Sequence, residues 1–177
     1  MRKRALMLAP LAALVLGLGA VGCDEPRADA LRAGCVTKDL KWKAVVLKKT
    51  GKPGGYRTGR LSAVNTGAND CVFRGFPSVL VNVGKGPEAN GRGYGRARPV
   101  SLPSGSGVAI DLRYKTAGKA EAEFGCLVES DSVWVTAPKD ENGGVRIPVR
   151  DEAGRHARFQ ICDDTVRMMP PRRMSGK

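Results

Sequence analysis

The chain has 177 residues, with 30 Lys and Arg, 17 Asp and Glu, one His and a formal net charge of +13. A hydrophobic content of 42% is enough for one globular domain with its own core, and the length excludes a multidomain enzyme of ordinary size. The dispersed 23 Gly and 11 Pro exclude a helical bundle, and a single His excludes multi-histidine metal chemistry.

Arg2, Lys3 and Arg4 open the chain, and Ala5 to Val21 carry no charge. A basic start, an apolar run and small residues before a cleavage point describe an export signal over residues 1–22. Cys23, after Ala20-Val21-Gly22, resembles the acylated cysteine of the bacterial lipoprotein box, with Ala20 where leucine is commonest. That resemblance implies a lipid on Cys23 and a protein held on the outer face of the cytoplasmic membrane. Each buried CH₂ contributes about 0.8 kcal/mol, so two or more acyl chains anchor stably. Residues 23–34 read as a short lipid-anchored tether. Without residues 1–22 the chain keeps 27 basic and 17 acidic residues, a net +10. Such a balance favours adhesion to an anionic membrane or wall polymer.

With Cys23 assigned to lipid, Cys35, Cys71, Cys126 and Cys162 remain. An even number in an exported chain reads as two disulfides. Three pairings exist, and chain order favours Cys35–Cys71 and Cys126–Cys162, each 36 residues apart. No Cys-x-x-Cys spacing supports a zinc ribbon or a thioredoxin-type site.

Short strands divided by Gly, Pro, Asn and Asp follow Cys35. Trp42 to Leu47 and Leu61 to Asn65 are the first candidates, then Val79, Val81 and Val83. In residues 107–114, Val108, Ile110, Leu112 and Tyr114 alternate with Ala109, Asp111 and Arg113, giving one apolar and one wet face. Only Thr116 to Phe124 carries a helical signal. Val133 and Val135 continue the alternation, followed by Val145, Ile147 and Val149, then Ala157, Phe159 and Ile161. Pro148 lacks an N–H, which predicts an edge or an interrupted strand. Seven or more half-buried strands predict an all-β, immunoglobulin-like antiparallel β-sandwich over residues 35–166, with two disulfides. Residues 167–177 read as a disordered basic tail.

Val64-Asn65-Thr66-Gly67, Cys71, Arg74-Gly75-Phe76-Pro77 and Val100-Ser101-Leu102-Pro103 before Gly105 and Ser106 form a combination preceded by Cys35. Together they resemble actinobacterial exported proteins of the domain-of-unknown-function family numbered 4232, over roughly Cys35 to Cys162. That resemblance implies a secreted or lipid-anchored β-sandwich with a cysteine pair near its start, and carries no catalytic residues over.

No catalytic constellation emerges from the residues. His156 reads as a surface histidine, and Ser104 and Ser106 lie in a turn without a nucleophile-elbow pattern. Asp140-Glu141, Asp151-Glu152 and Asp163-Asp164 are adjacent pairs beside turns, not carboxylates facing across a cleft. Gly91-Arg92-Gly93-Tyr94-Gly95 lacks the Lys-Ser/Thr ending of a phosphate loop. No metal or other cofactor is expected.

Residues 48–60 and 84–98 are basic segments with one tyrosine each. They supply the candidate polyanion-binding residues Lys52, Tyr56, Arg57, Arg60, Arg92, Tyr94, Arg96 and Arg98, since cations beside an aromatic platform suit phosphate polymers and sugars. The expected function is a non-enzymatic lipoprotein binding module of the cell envelope, for anionic polymers, with no nucleic-acid partner. The alternatives are an exported inhibitor or partner of another envelope protein, and an uncatalogued hydrolase.

Overall fold

The computed structural model describes residues 33–48, 55–117, 126 and 128–174. The export signal, Cys23, nearly all of the tether, Lys52 and most of Thr116 to Phe124 lie outside the described residues. A 3₁₀ turn at Thr37–Asp39 leads into β1 (Leu40–Val46) and β2 (Tyr56–Asn65). There follow β3 (Cys71–Phe73), β4 (Ser78–Asn82), β5 (Glu88–Gly93), β6 (Val100–Leu102) and β7 (Gly107–Lys115). The second half supplies β8 (Val128–Ser130), β9 (Ser132–Thr136), β10 (Val145–Asp151), β11 (Phe159–Ile161), β12 (Thr165–Met168) and β13 (Arg172–Arg173).

The main sheet runs β12-β5-β4-β9-β10-β1-β2-β7, and β12 also pairs with β7. It therefore closes into an eight-strand barrel. This overturns the immunoglobulin-like antiparallel sandwich, both as predicted from the alternation and as implied by the resemblance. Two of the pairings, β1 with β10 and β5 with β12, are parallel. The closing strand lies partly in the stretch read as a disordered tail, so the two errors have one origin. Val166 and Met168 are each 1% exposed, while Arg167 between them faces outward. A boundary after residue 166 cut through this alternation. Residues 167–174 are thus part of the fold: Arg167 and Met168 pair with Arg113 and Leu112, and Arg172 and Arg173 pair with Ala109 and Val108.

Period-two burial fills the interior. Leu40, Trp42, Ala44 and Val46 point inward from β1 while Lys41 and Lys43 are exposed. On β7, Val108, Ile110, Leu112 and Tyr114 are all buried. Each large apolar side chain so enclosed contributes about 1.5–3 kcal/mol. Pro148 stands inside the barrel sheet, not at an edge. β10 pairs with β9 over Val145–Pro148 and with β1 over Val149–Asp151, so its ladder changes neighbour at the residue that has no N–H to donate.

Both barrel ends carry a two-stranded ribbon and a disulfide. At one end β3 pairs with β6, Phe73 meets Trp42 edge-on at 6.1 Å, and Cys35 is bonded to Cys71. At the other end β8 pairs with β11, Phe159 meets Tyr114 edge-on at 5.2 Å, and Cys126 is bonded to Cys162. These are the pairings that chain order favoured. Glycine makes room at the second end: a Cβ on Gly59 would stand 3.1 Å from the Phe159 ring.

Candidate binding face

Each basic segment includes part of a strand, and the barrel distributes their described residues over different surfaces. Tyr56, Arg57 and Arg60 belong to β2, and Arg92 belongs to β5. Arg96 and Arg98 are exposed beyond the end of β5, on the Cys35 side of the barrel. Arg60 is committed to a structural pair: its Nε donates to Asp111 Oδ1 at 2.7 Å, and Arg172 donates to Asp111 Oδ2 at 3.0 Å. Partial burial would raise the Asp111 pKa, but these two guanidinium partners outweigh it and hold the carboxyl below its ordinary range. Arg57 points the other way, in register with the inward residues Gly59, Leu61 and Ala63.

Tyr56 and Arg92 do come onto one continuous face, through two residues that the sequence reading missed. Arg113 on β7 and Arg167 on β12 are cross-strand partners, and Arg167 is in turn the partner of Arg92 on β5. All three are exposed. The guanidinium carbons of Arg113 and Arg167 lie over the Tyr56 ring, 5.1 and 5.5 Å from its centroid. A groove of about 400 Å³ runs alongside, lined by Arg92, Tyr94, Asp163, Thr165 and Arg167.

Like charges directly opposite one another on a sheet destabilise it. None of these three arginines forms an ion pair with an acid among the described residues, so fold stability does not account for the row. Asp164 offers partial compensation to Arg92. Its carboxyl is held below the ordinary range by hydrogen bonds with Thr165 and Asp163, and to a lesser degree by the charge of Arg92. The missed signal was present in the sequence: Arg113 and Arg167 occupy wet positions in alternating segments, and only barrel closure sets those segments side by side.

Several of the residues weighed for catalysis are engaged in structural hydrogen bonds. His156 is exposed and bridges to Arg150 in the loop before β11. The Ser104 hydroxyl donates to the Gly67 carbonyl at 2.7 Å. Asp140 Oδ2 accepts from the Thr37 N–H at 2.6 Å, and Asp151 accepts from Arg155. In the Gly91–Gly95 run, a Cβ on Gly93 would collide with the Phe76 ring, so that glycine admits Phe76 against the strand. Among the described residues there is no metal-holding cluster of His, Cys, Asp and Glu, and no helix long and apolar enough to cross a membrane.

Fold and face together define an eight-strand barrel, disulfide-bonded at both ends, with a cationic stripe along its outer wall. Residues 35–170 match the family model described as Domain of unknown function (DUF4232), and the chain belongs to that family. No curated protein matches the chain.

Proposed function

We propose that the protein is a non-enzymatic binding module that grips anionic polymers of the cell envelope through its outer wall, tethered to the membrane by a lipid on Cys23. The observation that carries the binding part is the row Arg92, Arg167 and Arg113 with Tyr56 beneath two of its guanidinium groups. Guanidinium groups take phosphate oxygens with directed hydrogen bonds, and the tyrosine ring offers a platform to the carbon backbone between phosphates. A wall is better suited than a pocket to a chain that continues past its binding site. The signal-like residues 1–22 and Cys23 support the envelope location.

The test is retention of the protein on purified anionic wall polymer across a salt series. A basic residue near an anionic surface contributes about 1 kcal/mol, or about fivefold in affinity. Arg92→Gln, Arg113→Gln and Arg167→Gln combined should therefore weaken retention by about two orders of magnitude at low salt. Arg96→Gln with Arg98→Gln should change it little. Retention that ignores both salt and the triple substitution would overturn the proposal.

A further inference from the structure

We propose that the barrel mouth at the Cys162 end is a second, independent site, which binds the phosphate group of a small phosphomonoester. The mouth opens into a cavity of about 370 Å³, within the size range of small-molecule sites. Its lining includes Lys48, Arg57, Arg155 and Arg158 against two carboxylates, Asp151 and Glu152. The carboxylates are already engaged. Asp151 accepts from the Arg155 backbone N–H and from Arg155 Nε, each at 2.8 Å, and Glu152 accepts from the Lys48 backbone N–H at 2.8 Å. Arg57 and Arg158 have no hydrogen bond or ion pair to a described residue.

Arg57 is the unusual member. It occupies the first inward position of β2 and is half-buried, whereas every later inward residue of the strand is buried. Its Nε is buried without a hydrogen-bond partner, and so is the hydroxyl of Tyr114, its cross-strand neighbour on β7. Burial pushes the Tyr114 phenol up to about 12 despite the nearby Arg57 charge, so it stays protonated and neutral. A guanidinium N–H taken out of water and left without an acceptor is unfavourable, and an oxyanion in the cavity relieves it. Two uncommitted guanidinium groups match the charge of a phosphate monoester, close to −2 at neutral pH. A carboxylate would answer only one of them. The cavity is also larger than a phosphate, and Leu47 and Ala157 offer apolar wall for the attached carbon skeleton.

The site faces into the barrel mouth, whereas Arg92, Arg113 and Arg167 face outward, so the two proposals fail separately. Calorimetric titration of the purified protein with glycerol 3-phosphate, inorganic phosphate and acetate tests it. The expected result is one saturable site for glycerol 3-phosphate, weaker binding of inorganic phosphate, and no saturable binding of acetate. Arg57→Gln and Arg158→Gln should each weaken glycerol 3-phosphate at least tenfold, while Arg113→Gln and Arg167→Gln leave it within twofold. Should R57Q fail to fold, R158Q decides the matter, because that side chain is exposed. No saturable binding, inorganic phosphate or acetate binding as tightly as glycerol 3-phosphate, or an R158Q variant with unchanged affinity would each overturn the assignment.

Discussion

The two ends of the barrel close loops of equal length with disulfides, yet only the Cys162 end leaves buried polar atoms without a partner among the described residues. At the Cys35 end every buried polar side chain among the described residues is satisfied. Asn65 is 1% exposed, and its amide donates to the Asn69 and Leu102 carbonyls at 2.9 Å each while its Oδ1 accepts from the Gly67 N–H at 3.0 Å. Thr37, 2% exposed, accepts from the Ala137 N–H at 2.9 Å. At the Cys162 end, Arg57 and Tyr114 are left with buried, unpartnered atoms beside a charged cavity. A satisfied polar network rigidifies a single arrangement, whereas an unsatisfied one is a standing cost that a suitable ligand would lower. One end is built to hold the fold, and the other has the chemistry of a binding mouth.

The largest expected effect tests what the ends share. Both bonds close loops of 36 residues, so in the chain-entropy model each stabilises by about 4 kcal/mol. The double variants Cys35→Ser/Cys71→Ser and Cys126→Ser/Cys162→Ser should lose similar stability in urea unfolding. A gap above about 1 kcal/mol would show that native packing at the ends, and not chain entropy, sets the contribution.

The next test breaks the symmetry. Asn65→Ala removes three hydrogen bonds and strands the buried Leu102 carbonyl, at an expected cost of about 3 kcal/mol. Arg57→Met at the other end removes a half-buried cation with an unpartnered Nε without breaking any described hydrogen bond, and should be neutral or stabilising by up to about 1 kcal/mol. Equal destabilisation of both variants, measured by denaturant unfolding, would erase the distinction between a structural end and a binding end.

The smallest effect concerns acid. Hydrogen bonds from the Thr37 hydroxyl and then its N–H, followed by those of Asn142, hold the Asp140 carboxyl at about 2 against an ordinary 3.8. A folded-state value below the unfolded one contributes stability above pH 3.8 that is lost as pH falls through about 2. Because Asp140 is near solvent, the contribution should stay under about 1 kcal/mol. Asp140→Asn should flatten that acid limb when stability is followed from pH 5 to pH 2.

Much of the chain was legible locally. The alternation at 107–114 marked β7, the valines at 79, 81, 133, 135, 145 and 149 fell in strands, and cysteine order matched both bonds. The binding face was half legible: Tyr56, Arg92 and Tyr94 were singled out for charge and aromaticity, but Arg113 and Arg167 were passed over as wet strand and tail. Arg60 and Arg57 were grouped with them because a list of cations does not show that one is paired to Asp111 and another faces inward.

What the amino-acid sequence determined by itself is the local pattern: which stretches are strands, which side of each is apolar, and which cysteines are near in chain order. These follow from the two-residue period of a strand and from turn chemistry, both of which act within a few residues. Sandwich and barrel share that pattern, since each buries one face of every strand. Choosing between them required knowing that β12 inserts between β5 and β7, a contact across more than fifty residues of chain. That contact is decided by how the closed sheet disposes of its edges and fills its interior with Val166 and Met168. The same closure sets Arg92, Arg167 and Arg113 in one row, so both the fold and its candidate binding face were settled by tertiary pairing.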